Sequence, residues 1–196
     1  MIDRYSLPKG GIAQVYGSIN TGKSMFAVKT VADAQAQGGK VAYIDTEGSL
    51  TPEKCRMFNA DYNSILRSKA SMDNVRETIN GFLEAPESSA MDLIVLDSVT
   101  DLVTTSDGMG GLTLTMGNVC RNIRASGSKT SFLFINQSRP SLGNYGRSGD
   151  SIPGGQALSH SSDLILKIHS FNISNLSFEL ECIKSRHEVP KMMQWS

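Results

Sequence analysis

The sequence predicts an α/β fold, a mostly parallel, twisted sheet flanked by helices and finished by antiparallel strands toward the C-terminus. Three observations predict it. Short apolar runs alternate with longer stretches of helical spacing from Ile12 to about Gln137. Two of the runs, Leu93–Asp97 and 132–136, are apolar almost throughout rather than every second residue, as in strands buried on both faces. Beyond residue 160 the chain turns to strand-like runs at 163–169, 177–184 and Met192–Trp195.

Taken in order, IAQVY at 12–16 is the first strand, followed by a glycine-bearing turn and a helix over 23–37 that Gly38 and Gly39 end. Val41–Asp45 is the second strand. Pro52, suited to a first helical turn, opens a short helix through Phe58. A weak strand at 65–68 precedes a helix over 72–83, which puts Val75, Ile79 and Phe82 on one face. Leu93–Asp97 is a buried strand with an acid at its end. A helix over about 114–125 follows a glycine-rich stretch, and 132–136 is another buried strand. Residues 138–153, SRPSLGNYGRSGDSIP, are too polar and glycine-rich to pack and read as a long loop without structure of its own. There is no repeat and no low-complexity tract, so 1–196 reads as a single domain.

Composition narrows the function. Lys+Arg and Asp+Glu both number 19, which excludes a bulk basic field and makes any polyanion site local. Hydrophobic content of 39% with six prolines argues against disorder. No apolar run approaches bilayer-spanning length, and residues 1–9 lack a signal-peptide core, so no membrane partner is expected. Cys55, Cys120 and Cys182 are far apart, as buried thiols of a reducing cytoplasm are. His160, His169 and His187 have no ligand spacing, so no histidine metal site is expected.

GSINTGKS at 17–24 matches G-x-x-x-x-G-K-[ST] between a strand and a helix. Gly17 and Gly22 let successive N–H groups face phosphate oxygens, and the helix N-terminus adds its positive dipole end. Gly17, Ser18, Ile19, Asn20, Thr21, Gly22, Lys23, Ser24 and Met25 are therefore the expected nucleotide-binding run. Lys23 would neutralise the β- and γ-phosphates, and Ser24 would offer its hydroxyl to Mg²⁺. Asp97, closing a buried strand, is the second expected Mg²⁺ residue. In YIDTEG at 43–48, either Asp45 or Glu47 has the spacing to activate a water.

The phosphate loop, IDTEGSLTPEK at 44–54, LIVLDS at 93–98, FINQSR at 134–139 and GGQAL at 154–158 occur in this order, and the chain from about 7 to 195 resembles the RecA/RadA recombinase ATPase core. The resemblance implies ATP as the nucleotide and Glu47 as the base. It implies Gln137 as the sensor of the γ-phosphate and Lys54 along the adenine. In CIKSRHEVP it implies that Lys184 and Arg186 reach a neighbour's ATP site in trans. It further implies two DNA loops, at 104–115 and 138–153. The chain opens almost at the first core strand, so neither an N-terminal polymerisation segment nor a C-terminal DNA-gathering domain is expected, as in compact phage recombinases.

Charge gives an independent expectation. No acid occurs between Asp107 and Asp150, whereas Arg121, Arg124, Lys129, Arg139 and Arg147 all fall there. Arg121, Arg124, Arg139, Arg147 and the loop aromatic Tyr145 are the expected contacts to DNA. The leading function is an ATP-dependent, single-stranded-DNA-binding recombinase forming filaments or rings in a bacterial or phage-infected cytoplasm. Its alternatives are a ring-helicase motor core and a regulatory ATPase of the same fold.

Overall fold

The computed structural model describes residues 7–86, 90–102, 108–141, 149–151, 155–186 and 192–195. Its strands are β1 (Ile12–Gly17), β2 (Val41–Asp45), β3 (Leu66–Ser68), β4 (Leu93–Asp97), β5 (Ser131–Gln137), β6 (Arg139–Ser141), β7 (Gly149–Ser151), β8 (Leu164–Asn172), β9 (Ser177–Ser185) and β10 (Met192–Trp195). The helices are α1 (Lys23–Ala36), α2 (Pro52–Met57), α3 (Val75–Leu83), α4 (Gly108–Ser126) and α5 (Gly155–Ser161).

Eight strands form one sheet in the order β10-β9-β8-β1-β5-β4-β2-β3. From β3 to β8 every neighbouring pair is parallel, and β9 and β10 then run antiparallel. Successive residues of a strand face opposite sides, and β5 shows how this makes two cores. Leu133 and Ile135 pack with Phe26, Val28 and Val31 of α1 and Cys55 of α2. Phe132 and Phe134 pack on the other face with Ile79 of α3, Met116 and Val119 of α4, and Leu158 of α5. No helix among the described residues is long and apolar enough to cross a membrane.

Two expectations need correction. Helix α4 opens at Gly108, not near Leu114, so the described part of the expected 104–115 loop is helix; residues 103–107 lie outside the described residues. Glycine disfavours helix intrinsically, but Leu112 and Met116 are fully buried against the sheet, and that burial outweighs propensity. The segment read as structureless contains an antiparallel ladder, with Arg139 opposite Ser151 and Ser141 opposite Gly149. Residues 142–148, with Tyr145 and Arg147, lie outside the described residues.

Register places the chemistry. Gly17 is the partner of Gln137 across β1 and β5, and Asp45 is the partner of Asp97 across β2 and β4. Four strands therefore end together, at the carboxyl edge where open α/β sheets bind ligands.

Candidate nucleotide site and nucleic-acid interface

The bend after β1 needs its glycines for steric reasons. A Cβ on Gly17 would lie 2.5 Å from the Ile168 carbonyl oxygen. One on Gly22, whose φ is +92°, would lie 2.4 Å from the Phe171 Cβ. Asn20 also takes a left-handed conformation, which Asn tolerates better than most residues. Helix α1 then starts with no side-chain cap and no acid in its first turn. Its leading N–H groups and positive dipole end remain directed at the loop. The Thr21 hydroxyl and the Lys23 ammonium both donate to the Ser18 carbonyl, at 3.0 and 2.6 Å. Lys23 is buried, which lowers its pKa, and the charges of Glu47 and Asp97 oppose that shift. Ser24 sits half-buried in the first helical turn, and Ile19 is exposed. A glycine bend packed closely on β8, leading into an uncapped helix and a buried ammonium, fits a chain of phosphates.

The acids beside it have separate tasks. Asp97 is only 1% exposed, and its Oδ2 accepts from the Tyr43 hydroxyl at 2.6 Å and the Ser49 hydroxyl at 2.8 Å. Both oxygens of Asp45 are taken by the Ser49 and Leu50 N–H groups, at 2.9 and 3.1 Å, so Asp45 shapes the turn after β2. Glu47 is exposed and receives the Gln137 amide at 3.4 Å, a long contact. The Asp101 carboxyl beside Glu47, then burial, then the charge of Asp97 push its pKa up to about 7, against a hydrogen bond from Ser98. The Ser98 hydroxyl also donates to Asp101. Gln137 is held through its backbone: its N–H donates to Thr100 Oγ1 at 3.0 Å, and the next N–H, of Ser138, donates to the Gly17 carbonyl at 3.0 Å. One end of the sheet thus collects the glycine cradle, Lys23, Ser24, Asp97, Glu47 and Gln137. Lys54 lies on α2, where its ammonium donates to the Ser49 carbonyl at 2.6 Å.

Lys184 and Arg186 lie elsewhere. Lys184 donates to the Ser159 and His160 carbonyls at 2.9 and 3.0 Å, near the C-terminal end of α5. Burial and the neighbouring Arg186 charge lower its pKa. Arg186 Nε contacts Asp163 Oδ1 at 3.0 Å. Asp163 precedes β8 and bonds Ile12, the first residue of β1, so this cluster sits at the amino edge of the parallel strands. At about 3.3 Å per residue it is roughly 15–20 Å from the cradle.

The expected basic segment does not gather in one place. Arg121 and Arg124 lie in the last two turns of α4, about 20 Å along the axis from Gly108. Arg121 donates to Asn118. Arg124 pairs with Asp163 at 2.5 Å and the Ser161 carbonyl at 2.7 Å. Lys129 precedes β5 at the amino edge, where it lines a cavity of about 350 Å³ with Lys9 and Arg124. Arg139 follows β5 at the opposite, carboxyl edge. Neighbours in sequence are parted here by the length of a helix or a strand.

Comparison with known proteins agrees with this architecture. The family profile described as the RecA N-terminal domain matches residues 3–192. The chain is 30% identical to Protein RecA of Mycoplasma mobile, over 93% of its own length and 60% of that protein's. It is 33% identical to Protein RecA of Streptomyces avermitilis, over 93% of this chain and 50% of the relative. The chain thus spans between half and three-fifths of the length of these curated relatives.

Proposed function

Since the chain belongs to the RecA N-terminal domain family, we propose that it is a DNA-dependent ATPase of recombination, binding single-stranded DNA when ATP occupies the cradle between protomers. The observation that carries the reading is the convergence at one sheet edge of an uncapped glycine cradle, a buried lysine, a buried aspartate and a carboxylate–amide pair. Gly17 to Met25 bind the triphosphate, and Lys23 balances its β- and γ-charges. Lys54 lies along the adenine. Ser24 and Asp97 hold Mg²⁺, which when bound supplies further neutralisation of the phosphates. Tyr43 and Ser49 orient the Asp97 carboxylate toward that task. Glu47 takes the proton of the attacking water.

Gln137 turns nucleotide state into DNA affinity. It ends β5 beside Gly17 and leads directly into the segment with Arg139, Tyr145 and Arg147, the DNA-contacting segment of this reading. A γ-phosphate competing with Glu47 for the Gln137 amide gives two arrangements of this one strand end, as a nucleotide switch requires. Lys184 and Arg186 complete a neighbour's site, so hydrolysis depends on assembly. The three buried free cysteines suit a reducing cytoplasm.

Hydrolysis and DNA binding test the reading together. With a non-hydrolysable ATP analogue, single-stranded DNA binds without sequence preference, and affinity falls steeply from 50 to 200 mM salt. With ATP, the same DNA stimulates hydrolysis at least tenfold, and electron microscopy shows continuous assemblies on it. Hydrolysis indifferent to DNA, with no binding in the analogue-loaded state, would refute it.

A further inference from the structure

Resting on the reading that Arg186 serves an ATP site on a neighbouring protomer, we propose that Asp163 is a positioning residue, which holds the Arg186 guanidinium from behind and leaves its phosphate-facing side open. Asp163 lies in the turn between α5 and β8, with its side chain only 6% exposed. Its Oδ2 accepts the Ile12 N–H at 2.9 Å and Arg124 Nη2 at 2.5 Å, and its Oδ1 forms an ion pair with Arg186, 3.0 Å from Nε. The backbone fixes the carboxylate too: the Asp163 N–H donates to the Ile12 carbonyl at 2.7 Å, and the Arg186 N–H donates to the Asp163 carbonyl at 3.0 Å.

The contact uses only one edge of Arg186. Its side chain is 51% exposed, and among the described residues its two terminal nitrogens have no partner. These nitrogens form the fork that matches two phosphate oxygens. A guanidinium already held near one place by an ion pair loses less rotamer freedom on meeting a phosphate than a free one. Arg124 has a complementary part. When Arg186 leans toward a neighbour's nucleotide, Arg124 and the Ile12 N–H still satisfy the buried carboxylate, so no charge is stranded. The pair can therefore loosen and re-form.

Mixed oligomers separate this role from a merely structural staple. Glu47→Gln protomers keep the nucleotide cradle, hydrolyse nothing and carry an intact Asp163–Arg186 pair. Asp163→Asn protomers keep their own cradle and Glu47. Alone, Asp163→Asn should lower kcat at saturating ATP at least fivefold, with KM for ATP changed less than twofold. A fourfold excess of Glu47→Gln protomers should then raise hydrolysis per Asp163→Asn protomer threefold or more, because most of its sites gain an oriented guanidinium. A folding defect confined to the mutant protomer would not respond to a partner. Arg186→Ala mixed in the same way is the reference. If Arg186→Ala is restored by the partner but Asp163→Asn is not, or if Asp163→Asn hydrolyses ATP like the wild type, the positioning role is overturned and the trans reading stands. If Arg186→Ala is as active as the wild type, or is not restored, the trans reading falls and takes the positioning role with it. Should Asp163→Asn fail to fold, Asp163→Glu carries the same test, since a longer carboxylate keeps its charge while displacing the ion pair.

Discussion

Glu47 is set among groups that oppose its negative charge. Asp101 beside it, burial, and the charge of Asp97 raise its pKa from 4.5 to about 7. A base must be deprotonated to act, so hydrolysis should rise between pH 6 and pH 8 and level off above, as a pH–rate profile would record. Stability runs the other way. A folded-state pKa above the unfolded value means that the native state holds its proton longer, so the contribution is full below pH 4.5 and lost as pH rises through 7. Glu47→Gln should therefore melt a few degrees above the wild type at pH 8, with the difference gone below pH 5. The carboxylate is exposed, so solvent screening holds the effect to about 1 kcal/mol. The same variant should lose hydrolysis a hundredfold or more while still binding an ATP analogue. Tyr43→Phe bears on the neighbouring acid: removing a 2.6 Å bond to a carboxylate that is 1% exposed should lower stability by about 1–3 kcal/mol and weaken Mg²⁺-dependent nucleotide binding. Thermal melts and calorimetric titration read the two effects separately.

The β8–β9 hairpin bears on the phosphate loop as an element. Phe171 packs against Phe178 with ring centroids 4.7 Å apart, and Phe26 of α1 and Phe58 after α2 complete the cluster. Its Phe171 stands where a Gly22 Cβ would go. Gly22→Ala should then lower stability by about 2 kcal/mol or more and abolish nucleotide binding, since both the left-handed φ and the Phe171 Cβ oppose a methyl group. Phe171→Gly removes that Cβ together with the ring. In the double variant a denaturant melt should show less destabilisation than the sum of the two single changes, with nucleotide binding still lost. The phosphate loop was legible in the sequence because its demands are local: two glycines, a lysine and a hydroxyl at fixed spacing. Strands β2 and β4 were legible because they are apolar along nearly their whole length. Tyr43 and Ser49 were not, since only the register of β2 on β4 brings them to Asp97. The start of α4 was hidden by glycines whose propensity the buried Leu112 and Met116 override. The β6–β7 ladder was hidden by a polar composition that reads as loop. Asp163 gave no local sign at all, because Arg124 and Arg186 reach it from other elements.

Across the whole molecule the two ends of the parallel strands carry different chemistry. The glycine bend, Glu47 and Gln137 gather at the carboxyl edge, while Lys184 and Arg186 stand at the amino edge, roughly 15–20 Å away along β1. No arginine or lysine side chain reaches that far, so within one protomer these cations cannot touch a phosphate placed at Lys23. If the proposed trans role holds, one protomer is an incomplete enzyme, and its specific activity must depend on encounter with others. The rate per protomer should rise with protein concentration and then saturate as assemblies form, whereas a complete single-chain site gives a constant value. Single-stranded DNA should shift that rise to lower concentration by holding protomers side by side. Arg186→Ala should keep analogue binding within about twofold, because its own cradle is untouched, yet stay at the dilute-limit rate at every concentration. A flat profile for the wild type, measured by phosphate release from nanomolar to micromolar protein, would instead require a cation of the same chain other than Lys184 and Arg186 to serve the γ-phosphate, and would refute the trans reading.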